Sequence, residues 1–221
     1  DVLEKMCGLS VSSSQVSRVA ALLDEELEKW RNRPLAEYPY LVLDAHYEKV
    51  RTGGSVLPAA VLTAVGVDTQ SRRCVLGVSV SLSEAETHWR GFIKSLQDRG
   101  LTGVRYIVSD DHDGLKAALA ARMTGVLWQR CQCHLQRNAD AYVPRIAMRQ
   151  EVHDDIRDIF NSRDMAAAEE KLAFYVNKYA DYSAKQTECM ETNIAERLTV
   201  LHLPQQHIKS MRTTNMLERD H

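Results

Sequence analysis

The sequence has no apolar run near the roughly 20 residues of a membrane span, and its amino end lacks the basic-then-apolar layout of a signal peptide. It also has no excess of either charge, because 28 Lys and Arg and 30 Asp and Glu leave a formal net charge of −2. The strong positive charge of many nucleic-acid-binding proteins is missing, so binding to DNA would have to depend on local basic patches.

Cysteines are few and odd in number. Five are scattered along the chain, which indicates a reducing cytoplasm rather than a disulfide framework: Cys7, Cys74, Cys131, Cys133 and Cys189. Cys131 and His134 form a C-x-x-H motif, but no second Cys/His pair lies at finger-like spacing. Zinc requires four ligands, so a structural zinc is the weaker interpretation of this motif.

The remaining composition, 44% hydrophobic and 26% charged over 221 residues, is typical of a globular protein with one good-sized core or one domain plus an appendage. The first residue is Asp1 rather than Met, and the chain stops at His221 where a helical pattern is still beginning. We therefore treat the sequence as part of a longer protein.

Residues 1–36 are predicted to be helical. A short helix over 2–7 ends at Gly8, and a longer one runs from near Ser12 to Pro34 with apolar residues at three- and four-residue spacing. The longer helix opens with small polar residues and Arg18, which resembles the recognition helix of a helix-turn-helix motif. The alternative is a plain amphipathic helical pair.

Residues 37–138 are predicted to form a mixed α/β sheet. Three strands joined by short turns, and therefore antiparallel, come first: 41–51, 56–67 and 74–82. A helix with Ser83 and Glu86 as its capping box then leads to a strand that ends at Asp110. Because this helix serves as a crossover, the Asp110 strand should lie parallel to the first strand. A further helix and a short strand follow, at 114–123 and 126–131.

The pattern over residues 139–210 is helical throughout, which predicts an all-helical insertion. Its apolar residues recur at helical spacing in three segments: 150–160, 165–179 and 182–201. Residues 211–221 then begin one more helix.

Two acids stand out within this plan. Asp110 follows the apolar run of VRYIVSDDHDGL at the carboxyl end of its strand, where open α/β sheets place their ligands. Asp44 lies inside an apolar strand, where a carboxylate is costly to bury unless it is paired or bound to a metal ion. On neighbouring strands the two would form a metal-binding pair, with His46 on the same face as Asp44. A solvated loop after the strand is the alternative for Asp110, and the other residues of that loop are alternative ligands: Asp111, His112 and Asp113.

The motifs in order resemble those of the bacterial Mutator-type insertion-sequence transposases. They are Asp44 after an apolar strand, then VSDDHDGLKAAL, WQRCQCHLQRN and MRTTNMLER, and the resemblance runs from about Ser10 to Arg219. It implies a DDE transposase whose RNase H-like core is interrupted by a helical insertion, with Asp44, Asp110 and Glu218 as the triad. It also implies that Trp128, Cys131 and His134 shape the site and contact DNA.

Phosphodiester cleavage gives a chemical reason for such a triad, because two Mg²⁺ or Mn²⁺ ions about 4 Å apart stabilise both the attacking and the leaving oxygen. Oxygen ligands alone suffice for these ions, and we expect Asp44 to bridge them. Glu218 has an alternative role, since its spacing from Asn215 also fits a helix cap. Candidate contacts to DNA phosphates are Arg18, Arg130, Arg137, Arg212, Thr213, Thr214 and Asn215.

The expected function is cleavage of transposon ends in double-stranded DNA and strand transfer into target DNA. We expect two or more copies of the chain in the active complex, and a cytoplasmic protein that associates with the nucleoid when bound to DNA. One alternative is an inactive DNA-binding or assembly fragment. Another is a metal-dependent nuclease or phosphohydrolase with the same fold.

Overall fold

The computed structural model describes residues 12–133, 146–182 and 184–214, and the chain divides into two compact units after Leu35. Several predicted features lie outside the described residues: the helix over 2–7, His134, Arg137, Asn215 and Glu218. No helix in the described ranges is long and apolar enough to cross a membrane.

The first unit contains the helix α1 (Ser13–Asn32). Ser12 caps it through a capping box, in which the Ser12 Oγ accepts a hydrogen bond from the Gln15 N–H and the Gln15 side chain accepts one from the Ser12 N–H. The helix ends before Pro34, whose ring cannot continue it. The predicted helix is therefore confirmed, and Arg18 lies exposed on it.

The second unit is built on a five-stranded sheet with the strand order β3-β2-β1-β4-β5. Its strands are β1 (Tyr40–Thr52), β2 (Ser55–Val67), β3 (Arg73–Ser81), β4 (Tyr106–Ser109) and β5 (Leu127–Arg130). The first three are antiparallel, as predicted. Gly53 and Gly54 both have positive φ at the turn between β1 and β2, a conformation that glycine adopts without steric cost.

A crossover through α2 (Glu86–Asp98) makes β4 parallel to β1, and α3 (Asp113–Arg122) makes β5 parallel to β4. Both connections match the predicted order. The capping box predicted at the start of α2 is wrong, because the N-cap is Ala85. The Ser83 carbonyl instead accepts hydrogen bonds from Ser81 Oγ and His88 Nδ1, so Ser83 belongs to a turn before the helix.

Other parts of the chain pack on both faces of the sheet. On one face, Gly77 of β3 leaves room for Phe92 and Leu96 of α2, which approach to within 3.2 Å of where its Cβ would lie. On the other face, Tyr40, Val42, Tyr106 and Val108 pack with residues from the end of the described chain: Val200, Ile208 and Met211. The carboxyl-terminal part of the chain therefore completes the core of the sheet.

The helical insertion comprises α4 (Arg149–Phe160), α5 (Met165–Ala180) and α6 (Ala184–Ile194), followed by the short helix α7 (Gln205–Ile208). Its helices share a core that includes Ile156, Ile159, Tyr179 and Met190. The segment 182–201, predicted to be helical, is helical but is not a single α-helix. The chain passes after Ile194 into two 3₁₀ turns, Ala195–Arg197 and Thr199–His202.

Hydrogen bonds to the sheet explain this break. The carbonyl of Arg197 accepts hydrogen bonds from the side chains of Gln129 and Gln132, at 2.6 and 2.8 Å. The Val200 N–H donates to the Gln129 side-chain oxygen at 2.8 Å. These tertiary bonds occupy backbone groups that a continuous α-helix would have paired internally.

Candidate functional site

Asp44 and Asp110 lie side by side at the carboxyl edge of two parallel strands. Val42 pairs with Val108 in the parallel ladder, so two residues further on each strand Asp44 comes beside Asp110. Strand β4 ends at Ser109 while β1 continues, which explains why one acid follows a strand and the other lies inside one. The predicted placement on neighbouring strands is confirmed.

Both acids are half-buried and line a single cavity of about 190 Å³. The residues that line it are Leu43, Asp44, Ala45, Glu84, Trp89, Asp110, Asp111, His112, Leu115 and Arg130. The cavity is thus bounded by the edge of the sheet, the start of α3 and the turn before α2.

The three acids after β4 have different surroundings. Asp111 forms ion pairs with Lys116 at 2.6 Å and with Arg130 at 2.8 Å. Burial alone would raise the pKa of Asp111, but the hydrogen bond from Lys116 and the charge of Arg130 keep that pKa below its ordinary value. Asp113 is fully exposed on the first turn of α3. Asp111 is thus neutralised by two basic side chains, although it lines the same cavity as Asp44 and Asp110.

Glu84 is a cavity residue that the sequence reasoning missed. Its side chain is only 14% exposed, and its Oε2 lies 3.9 Å from Nδ1 of His112. The fully buried Trp89 also lines the cavity. The polar run around Glu84 resembles any solvated turn, so only the contact with α3 reveals that this carboxylate faces the site.

Gly114 permits that contact. A Cβ at Gly114 would lie 2.3 Å from the Glu84 carbonyl oxygen and 2.9 Å from the Glu86 nitrogen, both of them backbone atoms. We expect Gly114→Ala to reduce the free energy of unfolding by about 1–3 kcal/mol, because the turn must move away from α3. The measurement is urea denaturation followed by circular dichroism.

Gly91, in the middle of α2, is the matched control, since a Cβ there meets no atom within 4 Å. Gly91→Ala should raise stability by up to about 1 kcal/mol through the higher helix propensity of alanine. Equal stability of Gly114→Ala and the wild type would show that the close approach of the turn to α3 is wrong.

Whether this site could hold a metal ion depends on Asp44 and Asp110. Within residues 12–133, 146–182 and 184–214, no group of three or more His, Cys, Asp or Glu side chains is arranged to hold a metal ion. Mg²⁺ needs only one or two protein carboxylates, because it retains several water molecules. Asp44 and Asp110 fit that requirement, and Glu218 lies outside the described residues.

Trp128 and Cys131, the first residue of the C-x-x-H motif, both donate hydrogen bonds to the last residue of β4. The Trp128 Nε1–H donates to the Ser109 Oγ at 3.0 Å, and the Cys131 N–H donates to the Ser109 carbonyl at 2.7 Å. Both bonds hold the residue that precedes Asp110. His46 lies further along β1, where its Nε2 is 3.9 Å from Glu48 Oε1.

The described candidates for DNA contact differ in how accessible they are. Arg130 is 15% exposed and pairs with Asp111, while its other terminal nitrogen donates to Asn193. Arg212 donates to Asn161 at 2.7 Å, and burial lowers the pKa of its guanidinium. Thr213 is half-buried, whereas Thr214 is fully buried with its hydroxyl directed to Cys131 Sγ.

The fold and the cavity define a mixed α/β protein with two carboxylates paired at the carboxyl edge of its parallel strands. Its sequence matches the description "Transposase, Mutator family" over residues 1–220. The chain belongs to the Mutator family of transposases.

Individual relatives are named as transposases for insertion sequence elements. The chain is 50% identical over 221 residues to the transposase for insertion sequence element IS406 of Burkholderia multivorans, covering 99% of this chain and 57% of that protein. It is 40% identical over 219 residues to the ISRM5 transposase of Rhizobium meliloti, covering 99% and 55%. It is 33% identical over 224 residues to the IS256 transposase in Tn4001 of Staphylococcus aureus, covering 99% and 56%. The chain thus spans a little over half the length of these relatives.

Proposed function

We propose that this chain is the catalytic part of a DNA transposase of the DDE type, with an RNase H-like core. The observation that carries the proposal is the parallel register that brings Asp44 beside Asp110 at one cavity. The family adds weight, because its named members are insertion-sequence transposases. The proposed third acid is Glu218, and the proposed ligand of the pair is Mg²⁺ or Mn²⁺, with two ions in the complete site.

In this proposal the two carboxylates would bind the divalent ions and fix their position. Asp110 is fixed by the end of β4, and Asp44 by the continuous ladder with β2, so neither acid depends on an unsupported loop. Divalent ions at such a site supply charge stabilisation for both oxygens of an in-line displacement. Lys116 and Arg130 neutralise Asp111 and so limit the negative charge next to Asp110.

Two reactions follow one another on the DNA. A water oxygen first attacks the scissile phosphorus and loses a proton to solvent. The bond from phosphorus to the 3′ oxygen breaks, and that oxygen takes up a proton from solvent, which leaves a 3′-hydroxyl and a 5′-phosphate. That hydroxyl then attacks a phosphorus of the target DNA, which forms a new phosphodiester and releases a target 3′-hydroxyl. The substrate is double-stranded DNA that carries the element's terminal inverted repeats. We propose two or more copies of the protein in the active complex, so that both ends are held together.

The test uses the intact protein with labelled DNA bearing the insertion-sequence ends, with and without Mg²⁺ or Mn²⁺. Metal-dependent nicking at the ends and joining to target DNA supports the proposal. Binding without cleavage under either metal would contradict it in favour of an inactive DNA-binding fragment. Equal cleavage of DNA lacking the ends would contradict it in favour of a nuclease.

A further inference from the structure

The hairpin formed by β1 and β2 extends past the other strands of the sheet. Strand β4 pairs with β1 over residues 40–42, and β3 pairs with β2 only as far as Ala60. Within the described sheet, residues 48–52 of β1 and 55–59 of β2 therefore pair only with each other. We call this two-stranded segment with its turn, residues 48–59, the ribbon.

One face of the ribbon is basic. Because side chains alternate along a strand, Lys49 and Arg51 lie on the same face, and Tyr47 precedes them on that face at the base of the ribbon. On β2, Pro58 lies opposite Lys49 and Val56 lies opposite Arg51. All five residues are exposed. The ribbon has one acid, Glu48, and its position in the alternation places it on the other face.

Both cations of this face are available to a partner. Neither Lys49 nor Arg51 forms an ion pair with any residue that the structure describes. Arg90 and Lys94, two exposed cations of α2, instead pair with carboxylates of their own helix. Two residues of strand place the Cα atoms of Lys49 and Arg51 about 7 Å apart. At that separation both long side chains can reach phosphates of one DNA strand, which follow one another every 3.4 Å or so along the duplex axis.

The basic face leads directly to the cavity that holds the paired acids. Leu43 and Ala45 line the cavity, and the same alternation places them on the face of Tyr47. Arg51 follows Ala45 by six residues, or about 20 Å of strand. That length corresponds to about six base pairs of duplex. DNA with its scissile phosphate at the cavity can therefore lie along the ribbon.

We propose that the basic face of the ribbon is a DNA-binding surface, on which Lys49 and Arg51 contact phosphates of the duplex beside the cleaved bond. The Tyr47 hydroxyl is a further donor to the backbone on the same face. The inference rests on the proposed function for the identity of the partner. Contacts of this kind fix the position of the duplex and carry no sequence information. The ribbon would thus hold end-bearing DNA and target DNA equally well.

A second role for such residues is the protection of open strand edges. Lysine and proline on an edge prevent the strand from pairing with other chains. That role needs no DNA, so it predicts that loss of the charges promotes association between copies of the chain and leaves DNA affinity unchanged. Measurements of binding and of assembly therefore separate the two roles.

The experiment replaces Lys49 and Arg51 by glutamine, singly and together, in the intact protein. Affinity for end-bearing and for unrelated duplexes is measured without divalent metal over a series of salt concentrations, and sedimentation reports the assembly state. Each phosphate contact contributes about 0.9 to the slope of log affinity against log salt. We expect each single variant to lower that slope by about one and to weaken both duplexes about five- to tenfold at about 0.1 M salt. The double variant should show both losses together.

Two variants serve as controls. Glu48→Gln changes the opposite face of the same ribbon, and Arg163→Gln removes an arginine that is 86% exposed in the helical insertion. Both should bind DNA at least as well as the wild type, with an unchanged salt slope. Thermal unfolding of all variants should match that of the wild type, because the replaced side chains are exposed.

Uncharged methylphosphonate linkages in the DNA give a second readout. Placed within about six base pairs of the cleaved bond, on each side in turn, they should weaken binding by the wild type on one side. The double variant of Lys49 and Arg51 should be insensitive to them, because its charges are already absent.

Several results would overturn the inference. They are an unchanged salt slope in the double variant, a loss confined to end-bearing DNA, and altered assembly with unchanged DNA affinity. None of these measurements requires cleavage, so each leaves the proposed function intact. Wild-type cleavage in Asp110→Asn would overturn the proposed function and leave the result for the ribbon standing.

Discussion

Replacement of Asp44 or Asp110 by asparagine is expected to lower the rate of DNA strand cleavage by about a thousandfold or more. An amide of nearly the same shape keeps the packing but removes the charge that would hold a divalent ion, whose contribution to the transition state is several kcal/mol. Cleavage of end-bearing DNA in Mg²⁺ measures the rate, and a filter-binding or mobility assay shows that DNA affinity is kept.

Asp113→Asn is the matched control, because this fully exposed carboxylate lies three residues after Asp110 and outside the cavity. It should cleave at close to the wild-type rate. A loss in Asp113→Asn equal to that in Asp110→Asn would mean that the wrong acid after β4 has been assigned. Direct titration with Mn²⁺ gives a second readout, in which only the Asp44 and Asp110 variants should bind more weakly.

Arg197→Ala is expected to reduce the free energy of unfolding by about 3 kcal/mol. Arg197 is fully buried, and its guanidinium donates hydrogen bonds to the carbonyls of Cys131 and Asn193. Truncation leaves a cavity and removes bonds from a charged donor, and each of these effects costs about 1.5–3 kcal/mol. Urea denaturation of the purified protein measures the loss.

The control is Arg163→Ala, at an arginine side chain that is 86% exposed and pairs only locally with Asp164. It should change stability by no more than about 0.5 kcal/mol. If Arg197→Ala were equally mild, the guanidinium would not be a structural link between the insertion and the sheet.

The sequence pattern was sufficient to predict how the strands pair and that the strands of Asp44 and Asp110 are neighbours. The reason is physical. Alternation and apolar runs are local signals, short turns force antiparallel pairing, and a crossover helix forces parallel pairing. Asp44 and Asp110 could thus be placed on adjacent strands without any contact information. The strand ends fell within one or two residues of those observed for β1, β2 and β3.

Long-range bonds decided the features that local patterns could not predict. The break after Ile194 depends on Gln129 and Gln132, more than 60 residues earlier, which bond the carbonyl of Arg197. Glu84 faces the cavity only because its turn packs against the start of α3, a contact that no local pattern indicates. Thr214, which the sequence suggested as a candidate contact to DNA phosphates, is buried against Cys131.

The docking of Met211 on the sheet also determines the order in which the protein can be completed during synthesis. A ribosome makes both β1 (Tyr40–Thr52) and β4 (Tyr106–Ser109) well before the segment with Val200, Ile208 and Met211 that covers Tyr40, Val42, Tyr106 and Val108. Until that segment emerges, the nascent chain exposes these apolar side chains to solvent. Exposed hydrophobic surface of this kind is bound by chaperones and promotes aggregation. The core of the sheet and the edge that carries Asp44 and Asp110 would then become ordered in a single late event.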